Sequence, residues 1–190
     1  MEHIIARNLQ DSIAAKQAFF DAEGGKIPVL VNWIADTLKS DNKILIFGNG
    51  GSAADAQHMA AEFVNRFLID RRPLAAIALT TDSSILTSIG NDFSFDDIFV
   101  KQIQALGRKG DLALGISTSG NSPNVIKGVE TAKSMGVRTV CLTGGNGGKL
   151  KDIADLSLNV PTSKTPHIQE VHVWVEHLVC QLVDEVLFGE

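Results

Sequence analysis

Cysteine is scarce in this chain and never clustered: Cys141 and Cys180 are the only two, and no C-x-x-C spacing occurs. That excludes a zinc–thiolate centre or a vicinal redox pair, and both residues read as small core side chains. Runs of Lys or Arg are also missing and the net charge is −5, so the electrostatic footprint of a general nucleic-acid binder is absent. No stretch approaches the ~20 apolar residues of a bilayer span. The start, Met1-Glu2-His3-Ile4-Ile5-Ala6-Arg7, has no apolar signal core, which gives the expectation of a cytoplasmic protein without membrane contact. No Gly-Lys-Ser or Gly-Lys-Thr follows a glycine loop, so an ATP-type phosphate loop is excluded as well.

What is present is a chain of 190 residues, 44% hydrophobic, enough for one domain with a sizeable core; residues 1–190 are expected to form it alone. Helical spacing of Ile13, Phe19, Leu30, Ile34 and Leu38 predicts helices over about 2–22 and 27–40. Short apolar runs follow at Lys43–Phe47, Leu74–Leu79, Asp111–Ile116, Arg138–Leu142 and Asp155–Val160. They alternate with helix-like segments near Ser52–Phe67, Ser83–Ile89, Ser94–Leu106 and Pro123–Met135. This alternation predicts an α/β fold with a parallel, doubly wound sheet covered on both faces. Thr165–Phe188 reads as one long helix, apolar nearly all round, and its excess apolar surface points to a subunit interface shared with the N-terminal helices.

Two loops carry chemistry. The first, Gly48-Asn49-Gly50-Gly51-Ser52, follows a buried strand and opens a helix bearing His58 and Glu62. Its G-x-G-x-x-A pattern also matches a dinucleotide fingerprint, with Asp82 after the next strand. Ser52 with Asp55 reads as a capping box, which satisfies the helix amides and suits the loop to neutral hydroxyls instead of a phosphate. The second, Ser117-Thr118-Ser119-Gly120-Asn121-Ser122-Pro123, reads as an anion cradle at a helix start, Ser122 as N-cap and Pro123 in the first turn. An ordinary Ser/Thr-rich turn has the same composition. Loops after neighbouring strands of a doubly wound sheet open into one crevice, so together they suit two ends of a sugar phosphate.

His58 and Glu62 stand four apart, about 40° around a helix, and can share a metal ion. The competing reading pairs Glu62 with Arg66 on a solvated face. The C-terminal helix adds Gln169, Glu170, His172 and His177; spacing leaves open whether His172 or His177 faces the site. His, Glu and amide oxygen together suit zinc or another borderline divalent ion. Asn91-Asp92, after Gly90, is placed in a loop where it either binds sugar hydroxyls or caps a helix starting near Ser94.

The combination of Gly48–Ser52 leading to His58 and Glu62, Ala78-Leu79-Thr80-Thr81-Asp82, Gly90-Asn91-Asp92, Ser117–Ser122 and Ile168-Gln169-Glu170-Val171-His172 continuing to His177 resembles the sugar isomerase (SIS) family over nearly the whole chain. The resemblance implies a five-stranded parallel, flavodoxin-like sheet in a homotetramer with active sites between subunits. It implies interconversion of sedoheptulose 7-phosphate and glycero-manno-heptose 7-phosphate through an enediol, the first step towards the heptose of lipopolysaccharide core. It assigns Asn49, Gly50, Gly51, Ser52, Asn91 and Asp92 to the sugar, with Glu62 and Gln169 also on the substrate. Ser117, Thr118, Ser119 and Ser122 fall on the phosphate. His58, Glu62, Gln169 and His177 match the zinc ligands, one ion per subunit, with Glu62 as base and His177 as acid. The chain departs from the family at Thr165-Pro166-His167, where an Arg is usual; Thr165 is expected to cap the helix. Some relatives with this fold are non-catalytic modules that associate with a replication initiator or sense sugar phosphates, and the presence of both Glu62 and His177 argues for the enzyme.

Overall fold

Each of the five apolar runs forms a strand, three of them running one or two residues past the expected end: β1 (Ile44–Gly48), β2 (Ala76–Ala78), β3 (Leu112–Ser117), β4 (Arg138–Gly144) and β5 (Leu156–Val160). Helices α1 (Glu2–Glu23) and α2 (Ile27–Lys39) precede them. The connections carry α3 (Gly51–Val64), α4 (Ser83–Asp92), α5 (Ile98–Leu106), α6 (Pro123–Ser134) and α7 (Leu150–Ile153), and α8 (Thr165–Phe188) follows β5. The computed structural model describes residues 1–189; Glu190, within the expected domain 1–190, lies outside the described residues.

All pairings are parallel, in the order β2-β1-β3-β4-β5. Every residue of β1 and β3 is buried, as an all-parallel sheet with two covered faces requires. Alternation along β1 feeds two cores. Ile44 and Ile46 pack with α1, α2, α3 and α8, whereas Leu45 and Phe47 pack with α4, α5 and α6. The chain leaves β1 for β2 on one side and later places β3 on the other, so the crevice at the carboxyl ends of β1 and β3 is the topological switch point. Both chemistry-bearing loops lie there.

The long C-terminal helix matches its expected span. Part of its apolarity has an internal cause: α1, α2 and α3 pack against it, burying Val171, Val175, Val179 and Val183, whereas Val173, Leu178 and Leu182 are only half-buried and Val186 is exposed. Apolar residues on α1 behave differently. Ile4, Ile5, Leu9, Ile13 and Phe20 are all more than half exposed, and only Ala15 and Phe19 of that helix are buried.

Local expectations at three helix starts are corrected. No capping box forms at Ser52 and Asp55: α3 begins at Gly51 with Gly50 as N-cap at φ +56, ψ −120, and Ser52 is buried inside the first turn. The left-handed φ at Gly50 is strained for any residue with a Cβ, which explains why glycine opens the helix. Asn91 and Asp92 form the last two residues of α4 instead of a loop, and Ser94 caps the short 3-10 turn that follows. Thr165 does not cap α8; it is the first helical residue, preceded by Lys164.

Candidate active site

Helices α3 and α8 run side by side in the same direction, and their contacts set the site. At the top, a Cβ on Gly51 would overlap the Gln169 carboxamide, so glycine permits α8 to enter against the start of α3. One residue earlier on α8, Ile168 crowds Gly144, which also lies against the Thr118 carbonyl. The first turn of α8 therefore stands beside both loops. Seven residues down α3 and eight down α8, about 11 Å in each helix, His58 meets His177 with 3.4 Å between their Nε2 atoms. His58 Nε2 also lies 3.0 Å from Glu62 Oε1, so Glu62 pairs with histidine and the Arg66 reading is set aside. Phe67 stacks on the His177 ring at 5.4 Å between centroids. His58 is 42% exposed and Glu62 22%, so this cluster is open to solvent.

His172 is the other histidine of α8, and the structure removes it from the site. It is buried, 3.0 Å from the Thr143 carbonyl oxygen through Nε2, and burial lowers its pKa to about 4, the carbonyl contact acting in the opposite sense. It is a neutral core residue that donates to that carbonyl. Glu170 points the other way, to His167 at 3.0 Å, and its carboxyl is held below its ordinary range by hydrogen bonds from Ser12 and His167.

The hydroxyl loop is preorganised. Ser117 Oγ lies 2.9 Å from Ser122 Oγ and 3.5 Å from Ser119 Oγ, and Asn121 N–H donates to Ser119 Oγ at 3.2 Å. Ser122 occupies the N-cap position of α6 as expected, yet its hydroxyl meets Ser117 and makes no cap bond, leaving the helix start without a side-chain cap. Gly120 has φ +65, and a Cβ there would collide with the Gly147 carbonyl; that tight approach packs the loop onto the β4–α7 turn. A reciprocal amide pair, Asn49 with Asn124 at 2.8 Å in each direction, ties the first loop to the second. Asn124 was not singled out from sequence. Asn91 and Asp92 remain exposed, with Asn91 donating to Asp92 at 2.8 Å, and are not joined to either loop by a hydrogen bond.

Two imidazoles and a carboxylate suit zinc in kind, and the Gln169 amide stands apart from them, against Gly51. Ligand atoms on a tetrahedral ion with bonds of about 2.0–2.1 Å stand about 3.3 Å apart. The 3.0 Å and 3.4 Å separations at His58 are of that size. Among the described residues no three His, Cys, Asp or Glu side chains close into a ready-made cation cluster; Glu62 and His177 each meet His58.

Next to His177 in sequence, Glu176 is 2% exposed and neither carboxyl oxygen has a hydrogen-bond partner among the described residues. Burial, with Asp55 facing it, pushes its pKa well above the ordinary carboxylate value. The folded state then holds a proton that the unfolded state releases above pH ~4.5, so this group lowers stability progressively as pH rises from there through its folded pKa. Glu176→Leu is expected to raise the melting temperature by about 5 °C at pH 8, with a smaller gain at pH 5. Thermal melts at the two pH values check this; an equal gain at both would separate the burial cost from ionisation.

A family model described as "SIS domain" matches residues 9–144. The phosphoheptose isomerase of Nitratidesulfovibrio vulgaris (strain DSM 19637 / Miyazaki F) is 50% identical over 185 residues, 97% of this chain and 89% of that protein. That of Aquifex aeolicus (strain VF5) is 50% identical over 183 residues, 96% of each. Among solved structures, phosphoheptose isomerase from Neisseria gonorrhoeae superposes with a TM-score of 0.92 at 44% identity, covering 97% of this chain and 98% of that one.

Proposed function

The chain belongs to the SIS domain family, and from that premise we propose that it is an aldose–ketose isomerase of the phosphoheptose type, interconverting D-sedoheptulose 7-phosphate and D-glycero-D-manno-heptose 7-phosphate. The observation that carries this reading is the convergence of Glu62, His58 and His177 on the α3–α8 pair whose upper ends border the serine loop.

In this reading Ser117, Thr118, Ser119 and Ser122 hold the phosphate at the start of α6, where hydroxyl donors and the positive helix end both favour a dianion. Asn49, Gly50, Gly51 and Ser52 line the polyol, with Asn91 and Asp92 as further sugar contacts. Glu62 removes the proton from the carbon beside the carbonyl, and His177 supplies a proton to the carbonyl oxygen, giving an enediol. Returning the carbon-bound proton to the neighbouring carbon, with loss of the other hydroxyl proton to His177, completes the exchange. His58, Glu62 and His177 are the residues that would hold zinc; the amide of Gln169, the fourth ligand the family match assigns, lies against Gly51 at the upper end of the helix pair. Bound there, zinc supplies Lewis-acid polarisation of the substrate oxygens. Glu62 Oε1 faces His58, which leaves Oε2 to take the proton, and His177 presents Nε2 to His58, so as acid with Nε2 engaged it would use Nδ1.

The same reading includes a homotetramer with sites between subunits, a cytoplasmic location and entry into lipopolysaccharide-core heptose synthesis. The exposed apolar residues of α1 and the solvent-open cluster support the assembly. Among the described residues no helix is long and apolar enough to cross a membrane.

The direct test is to follow sedoheptulose 7-phosphate by NMR with purified protein: appearance of the aldose 7-phosphate is expected. A folded protein that forms none would move the assignment to a non-catalytic sugar-phosphate-binding module. Replacing Ser119 and Ser122 together by Ala should raise KM on the order of 10²-fold, since each charge-assisted hydrogen bond contributes about 1.5–3 kcal/mol. A KM within twofold of wild type would remove the phosphate assignment.

A further inference from the structure

Arg71 lies in the segment between α3 and β2, with a side chain only 2% exposed. Its Nη2 donates to the Glu62 carbonyl at 2.8 Å, and Nη1 donates to the carbonyls of Phe63 at 2.8 Å and Asn65 at 3.0 Å. These are carbonyls at the C-terminal end of α3, which lack onward helix partners. Its Nε donates to Asp184 Oδ1 on α8 at 2.9 Å, and Asp184 is itself 5% exposed. Asp184 is two turns beyond His177, so the two share a face of α8. One rigid, planar cation thus grips the backbone of Glu62 on one helix and a carboxylate in register with His177 on the other.

We propose that Arg71 is a positioning residue for the isomerisation, fixing the separation of the Glu62 carboxylate and the His177 imidazole by clamping the end of α3 to α8. The inference rests on the acid–base reading above. Besides the apolar core they share, three contacts mark the spacing of the two helices: Gln169 on Gly51 at the top, His58 on His177 in the middle and Arg71 on Asp184 at the bottom. Only the last is a buried ion pair, one Nε bond to Asp184 with the remaining guanidinium donors forked over the α3 carbonyls, a geometry that lysine, with a single point charge, does not reproduce. Proton transfer depends steeply on such spacing, and a misplacement of about 1 Å costs on the order of 10²-fold in rate. Binding of the phosphate by β3 and α6 does not depend on it.

The test is Arg71→Lys, which keeps the charge for Asp184 and loses the fork on α3, assayed beside wild type and Asp184→Asn at a temperature well below each melting transition. The expected result is a kcat lowered by about 10- to 100-fold with KM for sedoheptulose 7-phosphate within threefold, in protein whose circular dichroism is native. A purely structural clamp predicts activity in proportion to the folded fraction. Full kcat in the folded lysine variant, or a loss matched by unfolding, overturns the inference. Should the lysine variant fail to fold, Asp184→Asn is judged by the same split. A wild type without turnover removes the acid–base reading, and this inference with it, which distinguishes that failure from a fully active Arg71→Lys.

Discussion

Glu62→Gln is expected to lower kcat by about 10²- to 10⁴-fold, the range of a lost general base, while KM and the affinity for inorganic phosphate stay within about threefold. The amide keeps the shape of the carboxylate and its reach to His58, 3.0 Å away in the parent protein. The backbone carbonyl held by Arg71 is unchanged. The phosphate loop belongs to β3 and the start of α6, not to α3, so ground-state binding is not the interaction removed. A fall in kcat and kcat/KM by equal factors is the signature of an interaction made only in the transition state. Measuring bound zinc in the same variant separates the two roles assigned to this side chain: lost turnover with zinc retained assigns it as base, and lost turnover with lost zinc assigns it first as ligand. Turnover within tenfold of wild type would end its role as base.

The fold was legible because its signals are local and repeated. The buried runs of β1 and β3 are apolar at nearly every position since both sheet faces are covered, and α8 matches its expected span to the residue. Legibility fell where one residue has two uses. Ser52 looks like a cap, but Gly50 at positive φ caps α3 two residues sooner and Ser52 turns inward. Asn91-Asp92 looked like a break, yet α4 continues through both. The choice between His172 and His177 was beyond spacing because it is settled by partners remote in sequence, Thr143 for one and His58 for the other. Arg71 and Asn124 carried no periodic or motif signal. Arg71 finds its carboxylate 113 residues away and Asn124 its amide partner 75 residues away, contacts that only the folded chain creates.

Treatment with a strong chelator should lower turnover by at least about 10²-fold, a few kcal/mol of lost charge stabilisation, and zinc should restore it. The physical ground is the pair of Nε2 atoms 3.4 Å apart, with a carboxylate oxygen 3.0 Å from one of them. Two imidazole nitrogens directed at each other repel through their lone pairs unless a proton or a cation stands between. A shared proton satisfies the two nitrogens alone, whereas the Glu62 oxygen also stands at His58. A zinc ion accepts imidazole nitrogens and a carboxylate oxygen together. The two possibilities diverge under His58→Ala, which removes the donor common to both contacts. If zinc is held here, the variant binds less than one ion per chain and zinc does not restore its turnover. If the nitrogens share only a proton, the wild type carries no stoichiometric metal, and the chelator leaves its turnover unchanged. The latter outcome would overturn the zinc assignment while leaving Glu62 and His177 as an acid–base pair.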